Sequence, residues 1–208
     1  MNPVRLGSDQ AYSSKVVCIG RNYLDHITEL GNKVPREPVI FLKPNSSISV
    51  YLFCDDNDGI HYEGELSFLI RAGRPHAVGF GLDLTKRNVQ AELKAKGLPW
   101  ERAKAFDGAA VFSHFVKIEG DVAKLNLELQ INGRMEQKGG VELMLHKPLD
   151  LIEHIQRFIS LEDNDIVMTG TPKGVGAVRP GDRFTGRVLD GQSLLLEASW
   201  TARLASES

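Results

Sequence analysis

Short apolar runs rich in Val, Ile and Phe recur from one end of the chain to the other, each bounded by Gly, Pro or Asn. This spacing constrains the fold most, because such runs between turn formers read as strands and leave room for few helices. KVVCIG (15–20), PVIFLKP (38–44), ELSFLI (65–70) and AVGFGLDL (77–84) are predicted strands, as are LNLELQI (125–131), DIVMTG (165–170), DRFTGRVL (182–189) and SLLLEASW (193–200). Asn132-Gly133 and Asp190-Gly191 are turn signals. Three helices interrupt this pattern. Residues 85–96 offer Thr85 as N-cap, Val89 and Leu93 four apart, and Gly97 then Pro99 as a stop. Residues 148–159 begin at Pro148 and place Leu149, Ile152, Ile155 and Ile159 on one face. Residues 22–30, ended by Gly31, are short, polar and poor in apolar anchors, so this helix is expected to be mobile and to close over a ligand. The expected class is a β-rich α+β fold.

The 208 residues, 42% hydrophobic, fit one domain spanning the chain, 1–208, with no repeat or linker to divide it. Lys and Arg number 25 against 27 Asp and Glu, so no positive field exists to attract nucleic acid. Cys18 and Cys54 stand apart with no CxxC spacing and read as free thiols in a reducing compartment. No stretch approaches the roughly 18 apolar residues of a membrane helix, and the N-terminus lacks the features of a secretory signal. A cytoplasmic protein without membrane or nucleic-acid partners is the expectation.

The sharpest chemical feature is HYEGEL at 61–66. On a strand, Glu63 and Glu65 point to one side while Tyr62, Leu66, Phe68 and Ile70 take the other, so the carboxylate side is either a solvated face or the wall of a site. Two enclosed carboxylates raise one another's pKa unless they share a cation. Asp83, at the end of AVGFGLDL, is a third acid, or a plain turn residue. Three carboxylates together suit the hard cations magnesium and manganese better than zinc. Arg87 and Gln90 follow, three apart on one helix face. His26 and Glu29 share a face of the short helix and form a general-base dyad or an exposed pair. Lys104, among Ala103, Ala105 and Phe106, faces either a substrate anion or solvent. The loop TGTPKGVG (169–176) lacks a P-loop ending but presents Thr171 and backbone N–H groups to an anion, or is a simple turn.

Taken in order, GRNYLDHITELG, FLKP, HYEGEL, LDLTKRNVQ, GLPWERAKAFDG, the Asn132-Gly133 turn with Gln137 after it, and TGTPKGVG resemble the fumarylacetoacetate hydrolase family. The likeness runs from about residue 16 to about residue 190 and is strongest to its short branch of acylpyruvate hydrolases and oxaloacetate decarboxylases. The resemblance implies a mixed β-roll of the family's C-terminal domain type, a short lid helix, and a homodimer. It implies Glu63, Glu65 and Asp83 as ligands of Mg2+ or Mn2+, with Ca2+ as a further occupant. It implies His26 and Glu29, with Lys104, as catalytic groups, and Arg87, Gln90 and Thr171, with Arg21 and Lys43 less securely, as substrate contacts. Two departures stand out: Asn88 replaces the usual Asp after the motif arginine, and the short interval from Glu65 to Asp83 leaves room only for a tight hairpin at 71–76.

The activity expected from this resemblance is metal-dependent cleavage of a carbon–carbon bond in an acylpyruvate, such as fumarylpyruvate, to pyruvate and an acid. Decarboxylation of oxaloacetate, or isomerisation or decarboxylation of another 2-oxo diacid, is the alternative. A β-rich binding or scaffold protein without turnover is the non-enzymatic reading, against which the intact acids and dyad argue.

Overall fold

The computed structural model describes residues 1–31, 33–55 and 59–204. Every predicted strand is present, and pairing assembles most of them into one mixed sheet. Its order is Val39–Pro44, Lys15–Gly20, Ile166–Met168, Gly64–Arg71, Arg74–Asp83, Ala110–Phe112 and Ile48–Ser49, with Val116–Lys117 also pairing on Arg74–Asp83. A four-stranded antiparallel sheet runs Arg134–Gly140, Leu125–Ile131, Arg183–Asp190, Ser193–Thr201. The hairpin at 71–76 is as tight as expected: Arg71 pairs with Arg74 around Ala72 and Gly73, both at positive φ (47° and 70°), the conformation of a two-residue turn.

The large sheet curls. Val39–Pro44 and Arg74–Asp83 are four strand positions apart, about 19 Å if the sheet were flat. Yet Lys43 Nζ lies 2.9 Å from Asp83 Oδ1, more than one extended side chain can bridge without curvature. On the opposite, outer face of the curled sheet, Leu66, Phe68, Ile70 and Phe80 pack against Leu127, Leu129, Phe184 and Trp200 of the second sheet. Gly186 is required there, because a Cβ would come within 2.5 Å of the Phe80 ring.

Four expectations change. The carboxylate side of Gly64–Arg71 is no solvated face: Ser67 and Leu69 are fully buried, in a second core closed by Val4, Leu6 and Ala11 of the N-terminal hairpin Pro3–Leu6 and Asp9–Tyr12. Thr85 caps no helix, because Thr85–Lys86 pairs as a strand with Ile60–Tyr62 and the helix starts one residue later, as Arg87–Ala95. In the helix Pro148–Gln156 the buried face is Leu151, Ile152 and Ile155, while Leu149 is exposed. The short helix is Leu24–Glu29, and it has more anchors than its polar sequence suggests: Ile27 and Tyr23 are buried. Asn22 holds its entry, donating to the carbonyls of His146 (3.0 Å) and Thr169 (2.8 Å) and accepting from the His146 N–H.

Candidate active site

Antiparallel pairing brings the acids together. The register that sets Gly64 against Leu82 places Glu63 opposite Asp83, whose N–H donates to the Glu63 carbonyl at 2.9 Å, with Glu65 on the diagonal. One carboxylate oxygen from each of Glu63, Glu65 and Asp83 lies within 4.8 Å of the others. Two oxygens bound to one hard cation at about 2.1–2.4 Å are separated by no more than roughly that span, so the three suit a single ion.

The electrostatics point the same way. Glu65 is 1% exposed, and its only hydrogen-bond donor among the described residues is the Gly170 N–H, 2.7 Å from Oε2. Burial, then Asp83 and Glu63, push its carboxyl well above the ordinary range. Glu63 goes the other way: burial opposes ionisation, but Lys104 and Arg87 hold it well below the usual carboxylate value. Asp83 Oδ1 is buried without a hydrogen-bond donor, for although Lys43 Nζ lies at ion-pair distance, the angle is not that of a hydrogen bond. A crowded acid and an orphaned carboxylate oxygen form a donor set that a divalent cation would satisfy, and the all-oxygen chemistry fits magnesium or manganese.

Cations surround these acids. Lys104, at the end of the four-residue helix Glu101–Lys104, is 2% exposed and donates to Glu63 Oε2 (2.9 Å) and Asp83 Oδ2 (2.8 Å). Burial works against its charge, but Asp83 and Glu63 raise its pKa, so it stays an ammonium. Arg87 donates to Glu63 Oε1 (2.6 Å) and to Gln90 Oε1 (2.8 Å), so Asn88 costs it no partner. Lys43, expected among the substrate contacts, lies behind the site. Its ammonium is fully buried and donates to the carbonyls of Leu84, Lys104 and Ala109, which uses all three protons.

One cavity joins these groups. Its walls include Arg21, His26, Glu63, Glu65, Arg87, Gln90, Lys104 and Thr171. His26 is 5% exposed, with Nδ1 3.1 Å from Glu29 Oε2, while the other Glu29 oxygen accepts from the Gly174 N–H at 3.0 Å. Glu29 therefore ties the histidine to the loop 169–176. Thr171 is buried and donates to the Gly64 carbonyl (2.9 Å), so its hydroxyl orients the loop as well as lining the cavity.

Sequence reasoning did not place Gln137, Lys94, Trp100 or Phe41 at the site. Gln137 is 1% exposed: Oε1 accepts from the Gly64 N–H (2.8 Å), and Nε2 donates to Thr171 Oγ1 and the Pro172 carbonyl (2.8 Å each). It welds the segment between the two glutamates to the loop. Lys94, Trp100 and Phe41 line the cavity. The strand around Gln137, RMEQKGG, has no apolar alternation, so the likeness to family motifs that includes Gln137 was its one available signal; the other three belong to no pattern that spacing reveals.

The family model described as fumarylacetoacetate (FAA) hydrolase C-terminal matches residues 15–194. The chain is 41% identical to the oxaloacetate tautomerase YcgM of Escherichia coli over 204 residues, covering 87% of this chain and 90% of that protein. It is 40% identical to the mitochondrial oxaloacetate tautomerase oaa1 of Schizosaccharomyces pombe, covering 86% and 90%. Among solved structures, fumarylpyruvate hydrolase from Pseudomonas aeruginosa, in complex with Mn2+ and pyruvate, superposes with a TM-score of 0.86 at 32% identity, covering 97% of this chain and 96% of that one. Fold, site order and these relatives agree: the chain belongs to the fumarylacetoacetate hydrolase family.

Proposed function

We propose that this chain is a divalent-cation-dependent enzyme that moves a proton next to the 2-oxo group of a small 2-oxo acid, and that its reaction is keto–enol interconversion of oxaloacetate. The observation that carries this reading is a carboxylate-backed histidine sharing one cavity with a buried ammonium and with Glu63 and Glu65, beside which Asp83 completes a cluster of three acids. A Mg2+ or Mn2+ ion held by Glu63, Glu65 and Asp83 would supply Lewis acidity that draws electron density from the 2-oxo group.

The chain's own residues do the rest. With Nδ1–H directed to Glu29, His26 presents Nε2 as the acceptor for a proton on C3. The C–H electron pair becomes the C2–C3 double bond, the carbonyl π pair moves onto oxygen, and that oxygen takes up a proton, so the reaction is balanced without a co-reactant. Lys104 lies where negative charge gathers on that oxygen. Arg87, Gln90 and Thr171 fix the substrate's position. The relatives named oxaloacetate tautomerase favour this reaction.

Hydrolysis of an acylpyruvate is the second reading, favoured by the Pseudomonas aeruginosa neighbour. There the same dyad takes a proton from water instead of carbon, and the bond to the pyruvyl unit breaks. Decarboxylation of oxaloacetate has no such need of a base. The two-fold dimer and the cytoplasmic location belong to this proposal too; no described helix is long and apolar enough to cross a membrane.

The test follows enol decay of oxaloacetate optically and pyruvate formation by coupled assay, with Mg2+ or Mn2+. Metal-dependent acceleration of enol decay that outruns pyruvate release is the expected result, and His26→Ala lowers it by about 100-fold. Acceleration that survives His26→Ala removes the dyad from the mechanism. Pyruvate release from acylpyruvates without tautomerase activity replaces the first reading with the second.

A further inference from the structure

We propose that Arg21 and Lys94 form a second anion subsite at the cavity mouth that receives the distal carboxylate of a 2-oxo diacid. This deepens the reading of the cavity as a 2-oxo-acid site and rests on it. The charge pairing within the cavity motivates it. Lys43, Lys104 and Arg87 are each ion-paired to Glu63 or Asp83. Arg21 and Lys94 line the same cavity, yet among the described residues neither has an acidic partner. Paired cations are engaged by the protein itself, whereas Arg21, half-buried, and Lys94, exposed on its helix, leave two positive charges open to an anion entering the shared space.

The backbone at Arg21 and the ammonium of Lys94 are both held. Arg21 follows the strand Lys15–Gly20 at φ 58°, a left-handed conformation uncommon for a residue with a side chain, and precedes the anchored Asn22. Lys94 projects from the helix Arg87–Ala95, with Nζ 4.9 Å from the centroid of the Trp100 ring, which itself meets Phe41 at 6.0 Å. That aromatic wall steadies the ammonium, although Lys94 itself stays open to solvent. Partial burial, then Arg21 and Arg87, push Lys94 below the usual lysine value, a sign that like charges crowd at this spot. A carboxylate placed between them would relieve the crowding.

A four-carbon diacid is the ligand this subsite would take: with its 2-oxo end over Glu63, Glu65 and Asp83, its second carboxylate would lie roughly 4 Å further along the molecule, within the cavity that Arg21 and Lys94 also line. An acylpyruvate with a neutral tail leaves Arg21 and Lys94 unanswered, so the subsite selects for substrates carrying a second negative charge.

Steady-state kinetics of Lys94→Met, Lys94→Arg and Arg21→Gly on oxaloacetate and on its 4-methyl monoester test this; glycine tolerates the φ at position 21. Lys94→Met should reduce the ratio of kcat/KM for the diacid over the ester by about 10-fold or more, mainly through KM, and Lys94→Arg should restore most of it. An equal effect on both substrates, or none, overturns the subsite. Calorimetric binding of 3,3-difluorooxaloacetate, which has no C3 proton to lose, separates the subsite from the reaction. If the wild type turns over neither substrate but Lys94→Met weakens binding of this dianion about 10-fold, the reaction assignment falls and the subsite stands. If turnover is present and the variant binds the dianion as tightly as the wild type, the subsite falls alone.

Discussion

Replacing Gln137 probes how the fold holds the two glutamates in place. Its side chain is fully enclosed and makes three hydrogen bonds, to the Gly64 N–H, the Thr171 hydroxyl and the Pro172 carbonyl. In Gln137→Ala the hydroxyl keeps its bond to the Gly64 carbonyl, but the Gly64 N–H loses its partner and the Pro172 carbonyl loses its best one. At about 1–3 kcal/mol for each buried group left unsatisfied, and with a cavity added, the loss is about 3–5 kcal/mol. For a chain of this size that lowers Tm by roughly 6–20 °C. Gln137→Met keeps the volume and removes the hydrogen bonds, so it should retain most of the loss if the bonds, rather than packing, are responsible. Urea denaturation of the three proteins in parallel measures this. A change below about 1 kcal/mol in both variants would refute the claim that this network holds the segment, and native stability in Gln137→Met alone would assign the effect to packing.

Two further outcomes follow from other parts of the fold. Asp165 is buried and accepts from the backbone N–H groups of Ser14, Lys15 and Glu162, the Ser14 hydroxyl and the Lys15 ammonium. Burial opposes the charge, yet these bonds hold its pKa below the ordinary aspartate value. Its contribution is therefore complete above the unfolded value near 4 and is lost as pH falls through the folded value. Asp165→Asn should cost about 2–4 kcal/mol at pH 7 in denaturant titrations, with the gap closing at acid pH; a gap that is constant with pH contradicts this. Gly170 sits at φ 94°, and a Cβ there would meet Asn22 Cβ at 2.8 Å and the Ile19 carbonyl oxygen at 3.1 Å. Gly170→Ala should destabilise by about 2 kcal/mol or more and weaken cation binding, because the same residue's N–H orients Glu65; unchanged stability and affinity would contradict it.

Much of this architecture is written in local pattern. The β-branched runs located the strands because alternation and bounding turn formers act over a few residues, and HYEGEL located two of the three clustered acids for the same reason. What local pattern does not carry is which surface meets which. Leu69 and Ser67 vanish into a second core because the N-terminal hairpin crosses over them. Leu149 and Leu151 have the same hydropathy, and only packing decides that Leu151 is the buried one. The anchoring of Leu24–Glu29 depends on Asn22 reaching His146 and Thr169, more than 120 residues away in sequence. Lys43 reads as a surface or substrate cation until the curl of the sheet carries it onto Asp83 and three carbonyls.

Whether Glu63, Glu65 and Asp83 together hold one catalytic divalent cation is decided by calorimetric titration of Mn2+ into the chain, run beside the oxaloacetate enol-decay assay. Glu65→Gln is the variant of choice, since the amide keeps the size of the side chain and an acceptor for the Gly170 N–H while removing the charge. The expected result is one ion per chain for the wild type, a rate that rises with its occupancy, and loss of both in Glu65→Gln with circular dichroism unchanged. Binding and rate in Glu65→Gln equal to those of the wild type would contradict it.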